Sequence, residues 1–332
     1  MLQYHSLLVN TVNVLSHRLS IGHSCKGLLC SIRRETHREG GFLLMANQKF
    51  FKSLLVLVST LFLSLPTMAQ RDFSNVDIVA NHVAGSFYYL QGAGGNIGLS
   101  IGDDGVVMID DQFAPLTDKI LEAIRELNDG EIRFVINTHV HPDHTGGNEN
   151  LGNMGILILA RDEVRVRLSA SQPESALPVL TYSDAITIHL NGEEVYAFPV
   201  PPAHTDGDTF IHFRDSDVIH AGDVFRTTAF PVIDTNNGGT LDGTLSALGV
   251  LIGTAGPDTK IVPGHGEVSS RMDVMGFRDM ILDVKSKVAP MVERGLSYEE
   301  VASANPTSAY NARYGDSERF LRAVYSELGG LD

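Results

Sequence analysis

The chain has 332 residues, with 25 Lys and Arg against 40 Asp and Glu and a formal net charge of −15 at pH 7. A surface this acidic repels nucleic acid and anionic membranes, so a protein acting on small-molecule substrates is expected and no nucleic-acid partner is. Its two cysteines, Cys25 and Cys30, lie near the start, so no disulfide or thiolate ligand is available to the rest of the chain.

The N-terminal fifth of the sequence carries processing signals before it carries structure. Met45-Ala46-Asn47-Gln48-Lys49-Phe50-Phe51-Lys52 is a short basic start, followed by the apolar run Leu54 to Leu65 and then Pro66-Thr67-Met68-Ala69. That is the layout of an export signal, with the small residues Thr67 and Ala69 ahead of a cut at Gln70. The run is shorter than the roughly 20 apolar residues that a membrane span requires. The expected organisation is residues 1–44 as an extension upstream of a true start at Met45, 45–69 as a signal peptide, and 70–332 as a single domain. Such a domain would be exported, to the periplasm or outside a bacterial cell, with no stable membrane span after cleavage. Beyond residue 69 the balance is 18 basic to 38 acidic residues. A core of this size needs no disulfide staples.

Taken in order, Phe87–Leu90 and Asn96–Ile101 read as strands around the flexible turn Gln91-Gly92-Ala93-Gly94-Gly95. No Gly-Lys-Ser/Thr follows those glycines, so they do not form a phosphate loop. Asp103-Asp104-Gly105 has hairpin chemistry and leads into a buried strand, Val106–Asp110. A helix follows from Pro115, with Leu116, Ile120, Ile124 and Leu127 on one face and Gly130 beyond its end. Ile132–Asn137 and Ile156–Leu159 are strand-like, and a charged helical patch begins at Asp162. In the second half, strands are expected at Ile186–Leu190, Val195–Val200, Thr209–Phe213, Val218–Ala221 and Lys260–Val262. Helices are expected at about 270–288 and 317–328. Strands interleaved with early, central and late helices suggest two sheets packed face to face with helices outside.

The chemistry concentrates at strand ends. Thr138-His139-Val140-His141-Pro142-Asp143-His144-Thr145-Gly146-Gly147 follows the strand ending at Asn137, placing three histidines and an aspartate in one loop. The two imidazoles of His-x-His can converge on one tetrahedral ion, and Asp143 with His144 can serve a second beside it. His204, Asp223 and His265 occupy comparable strand-end positions. His189, His212 and His220 fall inside strands, away from that loop cluster, and His82 is expected to face solvent. Gly207 and Asp208 are expected to make a turn.

This set, in this order, resembles the metallo-β-lactamase superfamily. The matching pieces are the histidine loop, Pro202-Ala203-His204-Thr205-Asp206-Gly207-Asp208, Ala221-Gly222-Asp223 and Pro263-Gly264-His265-Gly266, spread over roughly residues 85–270. The resemblance implies an α+β fold, a four-layer αββα sandwich of two mixed β-sheets. It also implies two Zn²⁺ per chain, one held by His139, His141 and His204, the other by Asp143, His144 and His265, with Asp223 bridging. Asp143 would orient the nucleophilic water and carry its proton. Asp110, ending the strand nearest the site, is expected to hydrogen-bond a ligand histidine rather than ligate directly.

Subgroups of the superfamily divide around these residues. Glyoxalase-II-type thioesterases share the full set with an aspartate where Asp223 stands, but act on a cytosolic thioester. Lactonases share it too, with tyrosine three residues past the bridging aspartate, where this chain has Arg226. Many zinc β-lactamases place a basic residue there to grip the substrate carboxylate, yet carry cysteine in place of Asp223. Asn236 or Asn237 lies near the position of an asparagine that binds the lactam in some members. The expectation is a zinc hydrolase opening a β-lactam or related cyclic amide or ester that bears a carboxylate, gripped by Arg226. A thioesterase or lactonase is the near alternative. An iron-dependent oxidoreductase on the same fold is the alternative from another class, since histidine with carboxylate also suits iron. A binding protein without turnover fits less well with a complete ligand set.

Overall fold

The structure is a computed structural model that describes residues 72–330. The expected extension at 1–44 and signal peptide at 45–69 lie outside the described residues.

The first sheet opens as an antiparallel meander of β1 (Val79–Ala84), β2 (Phe87–Gln91), β3 (Ile97–Gly102) and β4 (Gly105–Ile109). It continues in parallel through β5 (Ile132–Ile136), β6 (Leu157–Arg161) and β7 (Leu180–Tyr182), so that space and sequence order coincide across seven strands. Five strands make the second sheet: β8 (Ile186–Leu190), β9 (Glu193–Pro199), β10 (Thr209–Phe213), β11 (Val218–His220) and β12 (Lys260–Val262). Their order is β12-β11-β10-β9-β8, and only β11 and β12 run parallel. Both sheets are therefore mixed.

Period-two alternation divides the strands between cores. In β4, Val107 and Ile109 join Phe87, Ile136 and Leu159 against Val195, Ile211, Phe213 and Val262 of the second sheet. Val106 and Met108, between them, face the other way onto helix α1 (Thr117–Leu127), meeting Leu116, Ile120 and Ile124. The outer face of the second sheet, through Phe210, Ile219 and Ile261, is covered by later helices. Those helices are α5 (Leu241–Thr254), α6 (Arg271–Glu293), α7 (Tyr298–Ser303), α8 (Asn311–Tyr314) and α9 (Glu318–Glu327). Between the two groups come the short α2 (Pro142–Thr145), α3 (Asn148–Asn153) and α4 (Asp162–Leu168). The result is the expected four-layer αββα sandwich. Among the described residues, no helix is long and apolar enough to cross a membrane.

Three elements are not legible by period. β1 is an edge strand with three exposed residues and so lacks alternation. β7 is only three residues long. α5 is rich in glycine and apolar nearly throughout; its N-terminus is capped by Thr240, and Glu327 of α9 accepts from Leu241 N at 2.7 and 2.8 Å. That cap joins residues 86 positions apart.

Candidate metal centre

The ligand loops gather where the C-terminal ends of β5, β11 and β12 meet. β5 delivers the chain to His139 and His141, after which Pro142 opens the single turn α2 that carries Asp143 and His144. Pro at the first helical position fits, because its fixed φ suits that position and its missing N–H would be unpaired there anyway. His204 follows β9, Asp223 follows β11 and His265 follows β12.

Hydrogen bonds at the back of each ring set which nitrogen points inward. Buried Asp110 (φ 60°) accepts from Thr138 N through Oδ1 at 2.7 Å and from Thr138 Oγ1 through Oδ2 at 2.8 Å. With that hydroxyl proton committed, Thr138 Oγ1 accepts from His139 Nδ1 at 2.9 Å, which leaves a lone pair on His139 Nε2. Asp110 Oδ2 also receives His144 Nδ1 at 2.7 Å, turning His144 Nε2 inward. His204 Nδ1 donates to Val232 O at 2.6 Å, and His141 Nε2 donates to Asp234 Oδ2 at 2.7 Å. His204 Nε2 and His141 Nδ1 then face each other at 2.8 Å.

Two inward lone pairs at that distance repel unless a positive charge lies between them, and this is the first sign that the cluster is built for a cation. The second is that His139 Nε2, His144 Nε2 and Asp223 Oδ1 are all buried and have no hydrogen-bond partner. Each of the sets His139/His141/His204, His139/His144/Asp223 and Asp143/His144/His265 brings its donor atoms within 4.8 Å of one another. Asp223 stands between them, with Oδ1 3.2 Å from His144 Nε2 and Oδ2 3.4 Å from His265 Nε2 and 3.8 Å from His204 Nε2. His265 Nε2 lies 3.2 Å from Asp143 Oδ2. The seven residues expected as ligands are thus brought together.

Electrostatics agree with this reading. Burial, with the charge of His144, holds His139 well below the ordinary imidazole range, and burial lowers His204 to about 4. Both are therefore neutral, the form that binds metal. At His144 burial also opposes charge, but Asp110 and Asp223 more than offset it and favour the imidazolium. A proton there occupies the place a cation would take.

Two glycines let backbone approach this centre. A Cβ on Gly95 would stand 2.1 Å from His144 Cε1, and one on Gly264 would stand 1.9 Å from Asp223 Oδ1. Asn96, beside Gly95, braces the His265 loop. Its Nδ2 donates to Pro263 O at 2.9 Å and Gly266 O at 2.8 Å, its N donates to Gly264 O at 2.7 Å, and its O accepts from His220 Nε2 at 3.0 Å. His220 is accordingly a satisfied buried histidine, while His82 and His189 are exposed and His212 is part-buried. Asp208 accepts from the backbone N of His204 and Thr205, fixing the turn that carries His204.

Around the centre is a cleft of about 280 Å³ lined by His141, Pro142, Asp143, His204, Asp223, Arg226, Val232, His265 and Arg319. Arg226 Nη1 is 3.9 Å from Asp223 Oδ2, and its buried Nε has no partner. Asn236 and Asn237 are not among the lining residues. The 3₁₀ turn they occupy folds back on Asp234: Asn237 Nδ2 donates to Asp234 Oδ2 at 2.8 Å, and Asn237 Oδ1 accepts from Arg167 Nη1 at 3.1 Å. Sequence reasoning missed Asp234, Asn96 and Arg319, none of which sits in a ligand motif, and assigned no role to Thr138 within the histidine loop.

The Metallo-beta-lactamase superfamily model matches residues 91–265, which contain every ligand candidate. The chain belongs to the metallo-β-lactamase superfamily. No curated protein shows a significant sequence match to it. Among solved structures, a metallo-β-lactamase from Pontibacter korlensis aligns at TM-score 0.56 and 15% identity, over 62% of this chain and 100% of that one. The metallo-β-lactamase DIM-1 aligns at TM-score 0.55 and 17% identity, over 62% and 98%. The inverting sec-alkylsulfatase Pisa1 from Pseudomonas sp. aligns at TM-score 0.64 and 16% identity, over 76% of this chain and 51% of that one. At such identities the likeness is one of fold. The superfamily is one of metal-dependent hydrolases, and the His/Asp clusters described above could hold metal.

Proposed function

We propose that this protein is an exported hydrolase with two zinc ions per chain that opens a small anionic carbonyl compound, a carboxylate-bearing β-lactam or related cyclic amide or ester being the first candidate. The observation that carries the reading is the set of inward donors His139 Nε2, His141 Nδ1, His204 Nε2 and His144 Nε2 around buried Asp223. His139, His141 and His204 would hold one ion, and Asp143, His144 and His265 the other, with Asp223 shared. A pair of divalent ions in such donor sets supplies an acidified water and an electrophile for a carbonyl oxygen.

The chain's own residues do the rest. Burial raises the Asp143 carboxyl, but the hydrogen bond from His265 and the charge of His144 bring it down to about 2, so it stays ionised at the cleft wall. There it can orient the attacking water and take its proton. Arg226 offers N–H donors to a substrate carboxylate, and Val232 gives the cleft an apolar wall.

The test is metal content of the purified chain, followed by turnover of a chromogenic β-lactam, a neutral lactone and a glutathione thioester on the same sample. Two zinc ions with lactam turnover support the whole reading. Two zinc ions with lactone or thioester turnover alone keep the hydrolase and overturn the lactam. Bound iron with no hydrolysis of any of them overturns the proposal in favour of redox chemistry.

A further inference from the structure

The C-terminal helical layer brings a second guanidinium to the metal cleft. Arg319 lies near the start of α9, outside the matched residues 91–265, yet it lines the cleft alongside Arg226, Asp143 and His265. Its placement follows from its neighbour. Phe320 is 1% exposed and stacks on Phe230, with ring centroids 5.5 Å apart and an interplanar angle of 11°. Two residues on from Phe230, Val232 supplies both a wall of the cleft and the carbonyl that holds His204. Packing of α9 therefore sets the height of Arg319 over the ligands.

Arg319 is exposed and makes no hydrogen bond or ion pair among the described residues. Acids lie close to it in sequence but are engaged elsewhere. Glu318 pairs with Arg322 at 3.7 Å, and Asp316 Oδ1 accepts from Glu318 N at 3.1 Å. Arg226 is in a similar state, with a buried, unpartnered Nε and no carboxylate nearer than Asp223, itself a ligand candidate. In a chain with a large excess of acids, two arginines at one cleft without a dedicated acidic partner mark a place where the missing anion is the ligand's.

We infer that Arg226 and Arg319 form a two-guanidinium clamp for an oxyanion of the substrate, a carboxylate or a sulfate, with Arg319 as the specificity-determining member. The inference rests on the hydrolase reading for its biological meaning, but not for its test. Guanidinium groups present planar pairs of N–H donors that match the oxygen spacing of such oxyanions. The cleft of about 280 Å³ has room for a small oxyanion between the two arginines and the ligand candidates.

The experiment is calorimetric binding of phenylacetate, phenyl sulfate and neutral benzyl alcohol to the chain, both zinc-loaded and metal-free. Arg319→Ala should weaken the preferred anion about tenfold, the loss of one charge-assisted contact. Arg319→Lys should recover part of that loss, and benzyl alcohol should not distinguish the variants. Arg322→Ala, one turn further along α9 and stacked on Tyr298 at 3.9 Å, removes the same charge outside the cleft and should stay within about twofold of the parent. Preference for phenyl sulfate would assign the clamp to sulfate esters, and preference for phenylacetate to carboxylates; both support it. A parent chain that binds neither anion, an Arg319→Ala chain that binds as well as the parent, or equal losses in Arg319→Ala and Arg322→Ala would overturn it. Anion binding through Arg319 without hydrolysis of any lactam, lactone, thioester or sulfate ester would keep the clamp and overturn the hydrolase reading.

Discussion

A histidine binds a cation through a lone pair, so its other ring nitrogen must give its proton to something else. Asp110 does this for His144 directly and for His139 through the hydroxyl of Thr138. Asp234 does it for His141, and is itself held by Asn237. Replacing Asp234 with Ala frees the His141 ring to turn and to change tautomer. Zinc affinity should fall about 10- to 100-fold, as read by competition with a chromophoric chelator; unchanged affinity would show that Asp234 does not position His141. Asp143→Asn keeps the shape of the side chain but removes the base. It should abolish hydrolysis while the melting temperature stays within a few degrees, and full activity would remove the proposed proton carrier.

At the scale of elements, the centre depends on loops from two sheets being held together. Asn96, entering β3 of the first sheet, grips carbonyls on both sides of His265, which follows β12 of the second. Asn96→Asp is nearly isosteric but turns a donor into an acceptor facing two carbonyl oxygens. It should weaken uptake of the second zinc equivalent, at the site containing His265, by at least about tenfold while the first equivalent binds as before. Equal weakening of both equivalents in a stoichiometric titration would show that Asn96 acts on the fold as a whole. Phe320 anchors α9 within the core formed by Phe230, Tyr314 and Phe277. Phe320→Ala should cost about 3–5 kcal/mol in urea unfolding, and loss below about 1 kcal/mol would mean that the layer packs without it.

For the whole molecule, the seven ligand candidates collect charge and desolvated nitrogen that only a cation relieves. Chelation should therefore lower the melting temperature, and added zinc should restore it in a concentration-dependent way. Acid should act on the metal-free chain first through His139 and His204, which burial holds neutral, and at lower pH through its carboxylates. At Asp234 burial is outweighed by hydrogen bonds from Asn237 and His141, which hold the carboxyl at about 2, and Asp143 sits at a similar value. Their folded values lie below the ordinary carboxylate value of 3.8, so their contribution to stability is complete above about pH 4 and is lost as the pH falls through about 2. Urea midpoints of the metal-free chain should drop over that interval, and less steeply in Asp234→Asn. Parallel slopes would exclude Asp234 as a source of the loss.

Local chemistry alone determined a good deal of this protein. The alternation of Val106–Ile109 and Ile132–Ile136, the apolar stripe of α1 and the strand-end positions of His139, His141, Asp143, His144, His204, Asp223 and His265 can all be read from neighbours in sequence. They can be read because backbone periodicity and the spacing of ligands on one loop are local properties. Tertiary structure decided what depends on residues far apart in the chain. It paired Asp234 with His141 across 93 positions and Asn96 with the His265 loop across 170. It turned Asn237 onto Asp234 instead of into the cleft, and carried Arg319 from the last long helix to the mouth of the site. None of these residues belongs to a motif, because a side chain that positions a ligand, or that waits for a substrate, needs only to arrive at the right point in space, and the packing of the layers alone fixes that point.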